Sequence, residues 1–433
     1  MTHSERINQR ILAFLEGADA TPAGIEAGKY QEARDYALDR YIEKGFRHYV
    51  ECLRWLGFGG RRSGLDLGSG AGHWCLAFAH LGGEATGIEM RPEFVCIAES
   101  CARAVGYGER VRFVPERIES AKIPAAAFDA AWSHAVLMYT DAEPAIEKAA
   151  SSLVEGGDFY LAYIAEGLRL ARIDAGLRGE EPHRVGPQLA MMLNGYLHRA
   201  GIYSTLGGRV RMLRFQDLRR ICEAFGLSYR DQPTLQDDPG HFRGIPASFD
   251  LLTRKTRGGG ALFGELLCGR AAEDNWWAAL ENLLQADCPR LVAKVIATID
   301  PKLAVCDHVD LYARALIRAG CAREAAAIVE GGRALPDLTK GLYWHDRGRF
   351  AEALACYARL GGDHPDKGFL SGCCHLSLGD LEAAVAEFRS AIAGGRAELR
   401  QWVGWLASEQ RAGEDRARAA YDAFLRSGFE WNG

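Results

Sequence analysis

The stretch that decides the fold is "SGLDLGSGAGHWCLAFAHLGGEATGIEM", Ser63 to Met90. A short apolar run around Asp66 meets a loop holding Gly68, Gly70 and Gly72, then an apolar helical stretch from His73, then a second short run that closes on Glu89. Strand, glycine turn, helix, strand is the order of a parallel βαβ unit. Glycines at its first joint let the backbone approach a ligand with no Cβ in the way.

Outward from this stretch the alternation continues. Short apolar runs at "VRFVPE" (111–116), "FDAAWSH" (128–134) and "GDFYLAYI" (157–164) are separated by the helical patterns "PEFVCIAESCARAV" and "AEPAIEKAASSLV". Strands fed by crossover helices build a parallel sheet covered on both faces. The alternation pauses over 166–214, where Gly, Pro and Arg interrupt weak helical patterns, and resumes with a helix at 215–227 and strands near "SYRDQP" and "SFDLLTRK" (248–255). Upstream, residues 29–56 carry apolar and aromatic side chains at three- and four-residue spacing, which predicts one or two amphipathic helices laid against the sheet.

At 433 residues the chain is too long for one ordinary core. Apolar residues at 48% and charged residues at 25% are the mix of a soluble globular protein. A net charge of −5 argues against a general nucleic-acid binder. No apolar run is long enough to cross a bilayer, and "MTHSERINQRILAFLEG" mixes charges into its apolar positions, so neither membrane insertion nor a signal peptide is expected. None of the twelve cysteines forms a C-x-x-C pair, which favours buried thiols in a reducing cytoplasm over a metal or disulfide framework. We therefore expect a cytoplasmic protein with no metal site.

The glycine loop selects among three ligands. A nucleoside triphosphate needs a Lys and a Ser or Thr after the last glycine, where this chain has His73 and Trp74. A dinucleotide wants G-x-G-x-x-G around a pyrophosphate. Here the third glycine is displaced, and Asp66 stands at the loop's mouth, where it would repel phosphate. S-adenosylmethionine carries an ammonium and a sulfonium and no phosphate, so an acid at that place is an asset. Glu89, 23 residues beyond Asp66, has the two oxygens needed to accept both hydroxyls of a ribose.

The segment "LDLGSGAG" resembles the first motif of the class I S-adenosylmethionine-dependent methyltransferases, and the resemblance extends over residues 28–255. It implies a Rossmann-like seven-stranded sheet with helices on both faces and S-adenosylmethionine as cofactor. Asp66, Gly68, Ser69, Gly70 and Gly72 would form the loop, with Glu89 on the ribose and Met90 on the adenine. The family often places an Asp after the third strand; this chain has Arg117 and Ile118, leaving backbone groups to read the adenine. "FDAAWSHAVLMYTD" resembles the segment beneath the methyl donor, so Ser133 to Leu137 would line the pocket.

His134 is the candidate general base at the fourth strand's tip, or else a polar residue that shapes the pocket. Tyr139 would line the cavity beside it. The Asn/Asp-Pro-Pro-Tyr sequence of methyltransferases acting on DNA bases and planar amides is absent, which favours a small-molecule or glycan-type acceptor with a hydroxyl, carboxyl, amine or carbon atom. From Arg169 to Arg243, both included, there are twelve Arg and no Lys. Arg199, Arg209, Arg211 and Arg214 there can meet an anionic group on the acceptor or form a solvated face.

Beyond residue 263 strand signals stop and a repeat begins. Glycines 320, 348, 379 and 413 fall 28, 31 and 34 residues apart, with Ala353, Tyr357, Ala384 and Phe388 at matching offsets. These residues resemble the tetratricopeptide repeat, whose helix pairs stack into an all-α solenoid that binds protein partners or its own copies. The expected division is N-terminal helices (1–60), a methyltransferase domain (61–256) with a substrate lid at 166–214, a linker (257–261) and tetratricopeptide-like repeats (262–433). Two alternatives stay open: a protein methyltransferase whose repeats recruit the substrate, and an inactive scaffold.

Overall fold

The computed structural model describes residues 2–17, 21–178, 213–230, 241–242, 245–256, 289–297, 308–332 and 334–396, with a few single positions besides. The expected linker at 257–261 and the last repeat at 402–425 lie outside them. The chain divides into two units.

The first unit holds residues 1–164, 219–239 and 248–261. Helices α1 (His3–Gly17), α2 (Ala27–Glu43) and α3 (Gly45–Trp55) precede the sheet. Then come β1 (Ser63–Leu67), α4 (His73–His80), β2 (Glu84–Ile88), α5 (Pro92–Val105), β3 (Val111–Val114), β4 (Phe128–His134), α6 (Ala142–Ser152) and β5 (Leu153–Ile164). Helix α7 (Glu166–Leu177) opens the next stretch, α8 (Phe215–Ala224) leads to β6 (Leu227–Arg230), and β7 (His241–Phe242) and β8 (Ile245–Pro246) precede β9 (Ser248–Lys255).

Seven strands make one sheet in the order β3-β2-β1-β4-β5-β9-β6. β1 to β5 pair in parallel, and β9 runs antiparallel to both β5 and β6. This is the expected α/β sheet. The strand order reverses between β1 and β4, and in open α/β sheets a ligand binds at such a switch point, beyond the carboxyl ends of the strands.

Sequence dictates the packing closely. A Cβ on Gly64 would stand 2.7 Å from the Trp132 ring, so a glycine in β1 makes room for the largest side chain of β4. Trp132 then packs on Phe58 and Phe78 in a core shared by α1, α3, α4 and α5. Gly45, at φ 72°, lets the chain turn from α2 into α3, and the Asn8 side chain accepts the Phe46 N–H at 2.8 Å to hold that corner. At the opposite edge of the sheet, buried Asp158 of β5 binds Arg254 at 2.8 and 3.0 Å, Arg230 at 3.2 Å and Arg61. One carboxylate thereby joins the approach to β1 with strands β5, β6 and β9.

The second unit holds residues 165–218, 240–247 and 262–433. Its described helices include α9 (Pro289–Ile296), α10 (Val309–Arg318), α11 (Ala322–Val329), α12 (Asp337–Asp346), α13 (Phe350–Ala358), α14 (Lys367–Ser377) and α15 (Leu381–Ala393). Two helix pairs repeat one device. A Cβ on Gly341 of α12 would meet Tyr357 of α13 at 2.3 Å, and 31 residues later a Cβ on Gly372 of α14 would meet Phe388 of α15 at 2.6 Å. In each pair a glycine lets the partner aromatic ring press onto the helix backbone. Leu170 and Ile173 of α7 belong to the same buried cluster as Tyr357, Phe369 and Phe388. The start of the expected lid therefore groups with the helical pairs, because its apolar face is buried among them. Among the described residues no helix is long and apolar enough to cross a membrane.

Candidate active site

The loop after β1 is fixed from beneath. The N–H groups of Gly68 and Ser69 both donate to the Ile88 carbonyl at 2.9 Å, which ties the loop to the end of β2. All three glycines take positive φ (83°, 50° and 78°), but for different reasons. A Cβ on Gly68 would meet Val136 at 2.4 Å, and one on Gly72 would meet Phe113 at 2.8 Å and Ala98 at 2.9 Å. Protein fills those two places. Among the described residues a Cβ on Gly70 would meet nothing within 4 Å, so that crest of the loop is open toward them. On either side of it, Ser69 Oγ and His73 Nδ1 are buried and make no hydrogen bond to the described residues.

Glu89 stands at the end of β2, where one oxygen accepts the Gly70 N–H at 3.0 Å and the other the Arg91 N–H at 2.9 Å. Burial raises its pKa, opposed by these same N–H groups. Each oxygen keeps a lone pair for a further donor, which suits a vicinal diol. Met90, next to it, is 42% exposed and presents an apolar surface. Asp66 lies below the loop, 2% exposed, and accepts from the Cys75 thiol at 3.5 Å. Burial pushes its pKa up to about 7, against the pull of Trp132 and Cys75, and Glu89 adds to the rise. A cation brought to the loop would favour its ionised form.

After β3, Ile118 is buried and Arg117 is exposed beside Glu119 at 3.8 Å. Glu119, which the sequence reading passed over, accepts the Thr140 hydroxyl at 2.7 Å and the Asp141 N–H at 3.4 Å. It tethers the β3 loop to the segment after β4, and the acid two places past Arg117 was the available signal.

At the tip of β4 the expected lining is only half present. Ser133 and Leu137 are fully buried, and Ser133 Oγ donates to the Leu67 carbonyl at 3.1 Å, so it ties β4 to β1 instead of facing a ligand. The surface here belongs to His134, Ala135, Val136 and Tyr139, the last 44% exposed. Ala135 takes φ 58°, a left-handed conformation that a side chain rarely adopts and that turns the chain sharply out of the strand. The His134 ring meets solvent yet sits among crowded groups and 5.1 Å from the Trp74 ring. That crowding, with Arg40, His48 and Lys44 nearby, pushes its pKa down to about 4. Solvent contact moderates the burial effect, and either way the imidazole is neutral at pH 7.

An aromatic wall that the sequence did not reveal continues from His134. Ring centroids run from Trp74 to Tyr49 at 5.5 Å, from Tyr49 to His73 at 5.1 Å and from His73 to Tyr36 at 6.0 Å. Of the three tyrosines in α2, Tyr30 and Tyr41 are buried in packing and Tyr36 is 40% exposed. Burial pushes the His73 pKa down to about 3, with Arg40 and His134 adding to the fall.

Arg214 lies in the second unit, where its guanidinium and its backbone N–H bind Asp217 at 3.0 to 3.3 Å, at the start of α8. Its charge is engaged locally. Arg199, Arg209 and Arg211 lie outside the described residues.

Residues 65–161 match the family model described as a methyltransferase domain. Over 98 residues the chain is 36% identical to an uncharacterized methyltransferase, YcgJ, of Bacillus subtilis (strain 168). That match takes in 22% of this chain and 38% of the relative, so the chain spans well under half the length of that relative. Among solved structures, the YcgJ protein from Bacillus subtilis aligns with 49% of this chain and 100% of its own, at 21% identity and a TM-score of 0.34. A geranyl diphosphate C-methyltransferase from Streptomyces coelicolor A3(2) aligns with 58% of this chain and 98% of its own, at 12% identity and a TM-score of 0.35. The family match runs from within β1 into β5, over the loop and the acid already described, so this part of the chain is similar to a methyltransferase domain.

Proposed function

We propose that the chain is an S-adenosylmethionine-dependent methyltransferase acting on a small-molecule or glycan-type acceptor, at a hydroxyl, carboxyl, amine or carbon atom. Its C-terminal helix pairs are tetratricopeptide-like repeats that bind a protein partner or a second copy. The observation that carries the enzymatic reading is the pairing of Glu89 with Gly70: an acid with two unfilled lone pairs beside a loop crest that protein leaves open. The equivalent Gly341–Tyr357 and Gly372–Phe388 contacts support a repeated helix pair.

The residues fit the cofactor. Glu89 takes the ribose hydroxyls, Met90 packs on the adenine, Gly70 admits the chain between them, and Asp66 answers the positive charges from below. When bound, the cofactor supplies a methyl group on a cationic sulfur. Transfer is an in-line displacement, so the protein's work is to position the acceptor and exclude water. His134 stands at the switch point with a neutral ring. Its lowered pKa makes it a weaker proton acceptor than a free imidazole, so it orients the acceptor through a hydrogen bond more effectively than it takes its proton.

Calorimetric titration of the full chain with S-adenosylhomocysteine tests the cofactor reading, and absence of binding would leave only the inactive scaffold. Incubation with methyl-labelled cofactor and a panel of hydroxylated, carboxylated and amine metabolites then tests the acceptor. Label that enters protein and no small molecule would favour the protein methyltransferase.

A further inference from the structure

The N-terminal helices carry one stripe of side chains at four-residue spacing, Tyr36, Arg40, Lys44, His48 and Cys52, which runs through the α2–α3 corner. The stripe follows the carboxyl edge of the sheet. Tyr36 meets His73 at 6.0 Å and Phe94 at 5.4 Å, on the α4 and α5 side. Arg40, Lys44 and His48 act electrostatically on His134 at the tip of β4, and Cys52 acts on Tyr160 of β5. The Arg40 guanidinium lies over the Tyr36 ring, 5.1 Å from its centroid, and also acts on His73, the residue that follows Gly72. Through Tyr36 it lies close to His73, at the end of the glycine loop.

Two other arginines, Arg91 and Arg117, are engaged. Arg91 binds Glu93 at 2.7 Å and Glu32 at 3.3 Å, and Arg117 pairs with Glu119. Arg40 faces Glu43 at 3.6 Å on its own helix, a half-exposed pair of the kind that contributes little and is readily exchanged. With a ribose held at Glu89, an amino-acid tail directed toward β1 and β4 would bring its carboxylate near Arg40. Asp66 below the loop can answer the ammonium but not that carboxylate.

We infer that Arg40 binds the carboxylate of the cofactor's methionyl group, so that helix α2 closes the cofactor site from above. The inference rests on the methyltransferase reading and names a binding residue that the glycine-loop motif does not contain. A planar guanidinium offers a carboxylate two parallel N–H donors, and the Tyr36 ring lies against the guanidinium.

The test compares two ligands on the full-length protein by calorimetry. S-Adenosylhomocysteine has the amino-acid tail, and 5′-methylthioadenosine keeps the adenosine and sulfur without it. Arg40→Gln should weaken S-adenosylhomocysteine by about ten- to a hundredfold, equivalent to ~1.4–2.8 kcal/mol, and leave 5′-methylthioadenosine within about twofold. Arg40→Lys should recover part of the loss. Unchanged S-adenosylhomocysteine affinity in Arg40→Gln would overturn the inference, as would an equal loss for both ligands, which would mark Arg40 as a packing residue. Failure of the wild-type protein to bind either ligand would instead overturn the cofactor reading itself.

Discussion

Gly70→Ala separates a loop that cradles a ligand from one that merely turns a corner. The φ of 50° at Gly70 lies in the left-handed region, where an alanine costs roughly 1–2 kcal/mol. Reduced freedom of the unfolded chain returns about 0.4–1 kcal/mol of that. No atom lies within 4 Å of the added methyl group, so no overpacking cost follows. The net loss is about 1 kcal/mol, or ~2–4 °C in Tm for a domain of this size. In Gly72→Ala the same backbone cost is joined by a clash with Phe113 and Ala98, worth a further 1–3 kcal/mol or so. Binding should rank the two the other way. A methyl group on the open crest displaces the cofactor, so S-adenosylhomocysteine affinity should fall at least about tenfold in a Gly70→Ala protein that stays folded. Thermal unfolding and calorimetry on both variants give the four numbers. Normal affinity in Gly70→Ala would refute the cradle, and a Tm as low as that of Gly72→Ala would show that the space is not open.

Asp66 predicts a proton signature. At pH 6 its carboxyl is mostly protonated, and a cationic ligand should expel up to about one proton. Titrations in buffers of different ionisation enthalpy should show that release, which vanishes near pH 9 and in Asp66→Asn. The same shift has a stability sign. Between about pH 4 and 7 the folded protein holds a proton that the unfolded chain has lost, so Asp66 costs stability as pH rises through that window, on the order of 2–4 kcal/mol in all. Asp66→Asn should remove that slope in pH-dependent urea unfolding, and an unchanged slope would refute it. His73 acts in the opposite sense: its neutral ring favours the native state above about pH 6.5, and this is lost as pH falls toward 3, so His73→Phe should reduce acid sensitivity. Asp158→Asn leaves Arg61, Arg230 and Arg254 facing an uncharged group and should cost about 1–3 kcal/mol, discounted because the arginines are partly exposed; a change below ~0.5 kcal/mol in urea unfolding would contradict that hub.

Much was legible in the chain because backbone demands leave residue-type signatures. The period change at residue 63, the glycines at 68, 70 and 72, and the acid closing the second strand placed the loop and Glu89 correctly, since each records a local requirement of turn, strand or charge. The last strand, expected near 248–255, runs from Ser248 to Lys255. The tip of β4 was misjudged in detail: strand alternation cannot tell which neighbour a serine meets, and Ser133 turned inward to Leu67 while the left-handed turn at Ala135 exposed His134.

The sequence by itself determined the class of fold, the glycine loop and the acid beside it, because these depend on residues close in the chain and on steric rules that hold in any context. Only the tertiary structure brought Arg40 and Tyr36 beside the end of a loop about thirty residues downstream, joined Asp158 to three distant arginines, and buried the start of the β5 insertion with the helical pairs. Such contacts pair residues far apart in sequence and carry no local periodicity. They form only when whole elements pack.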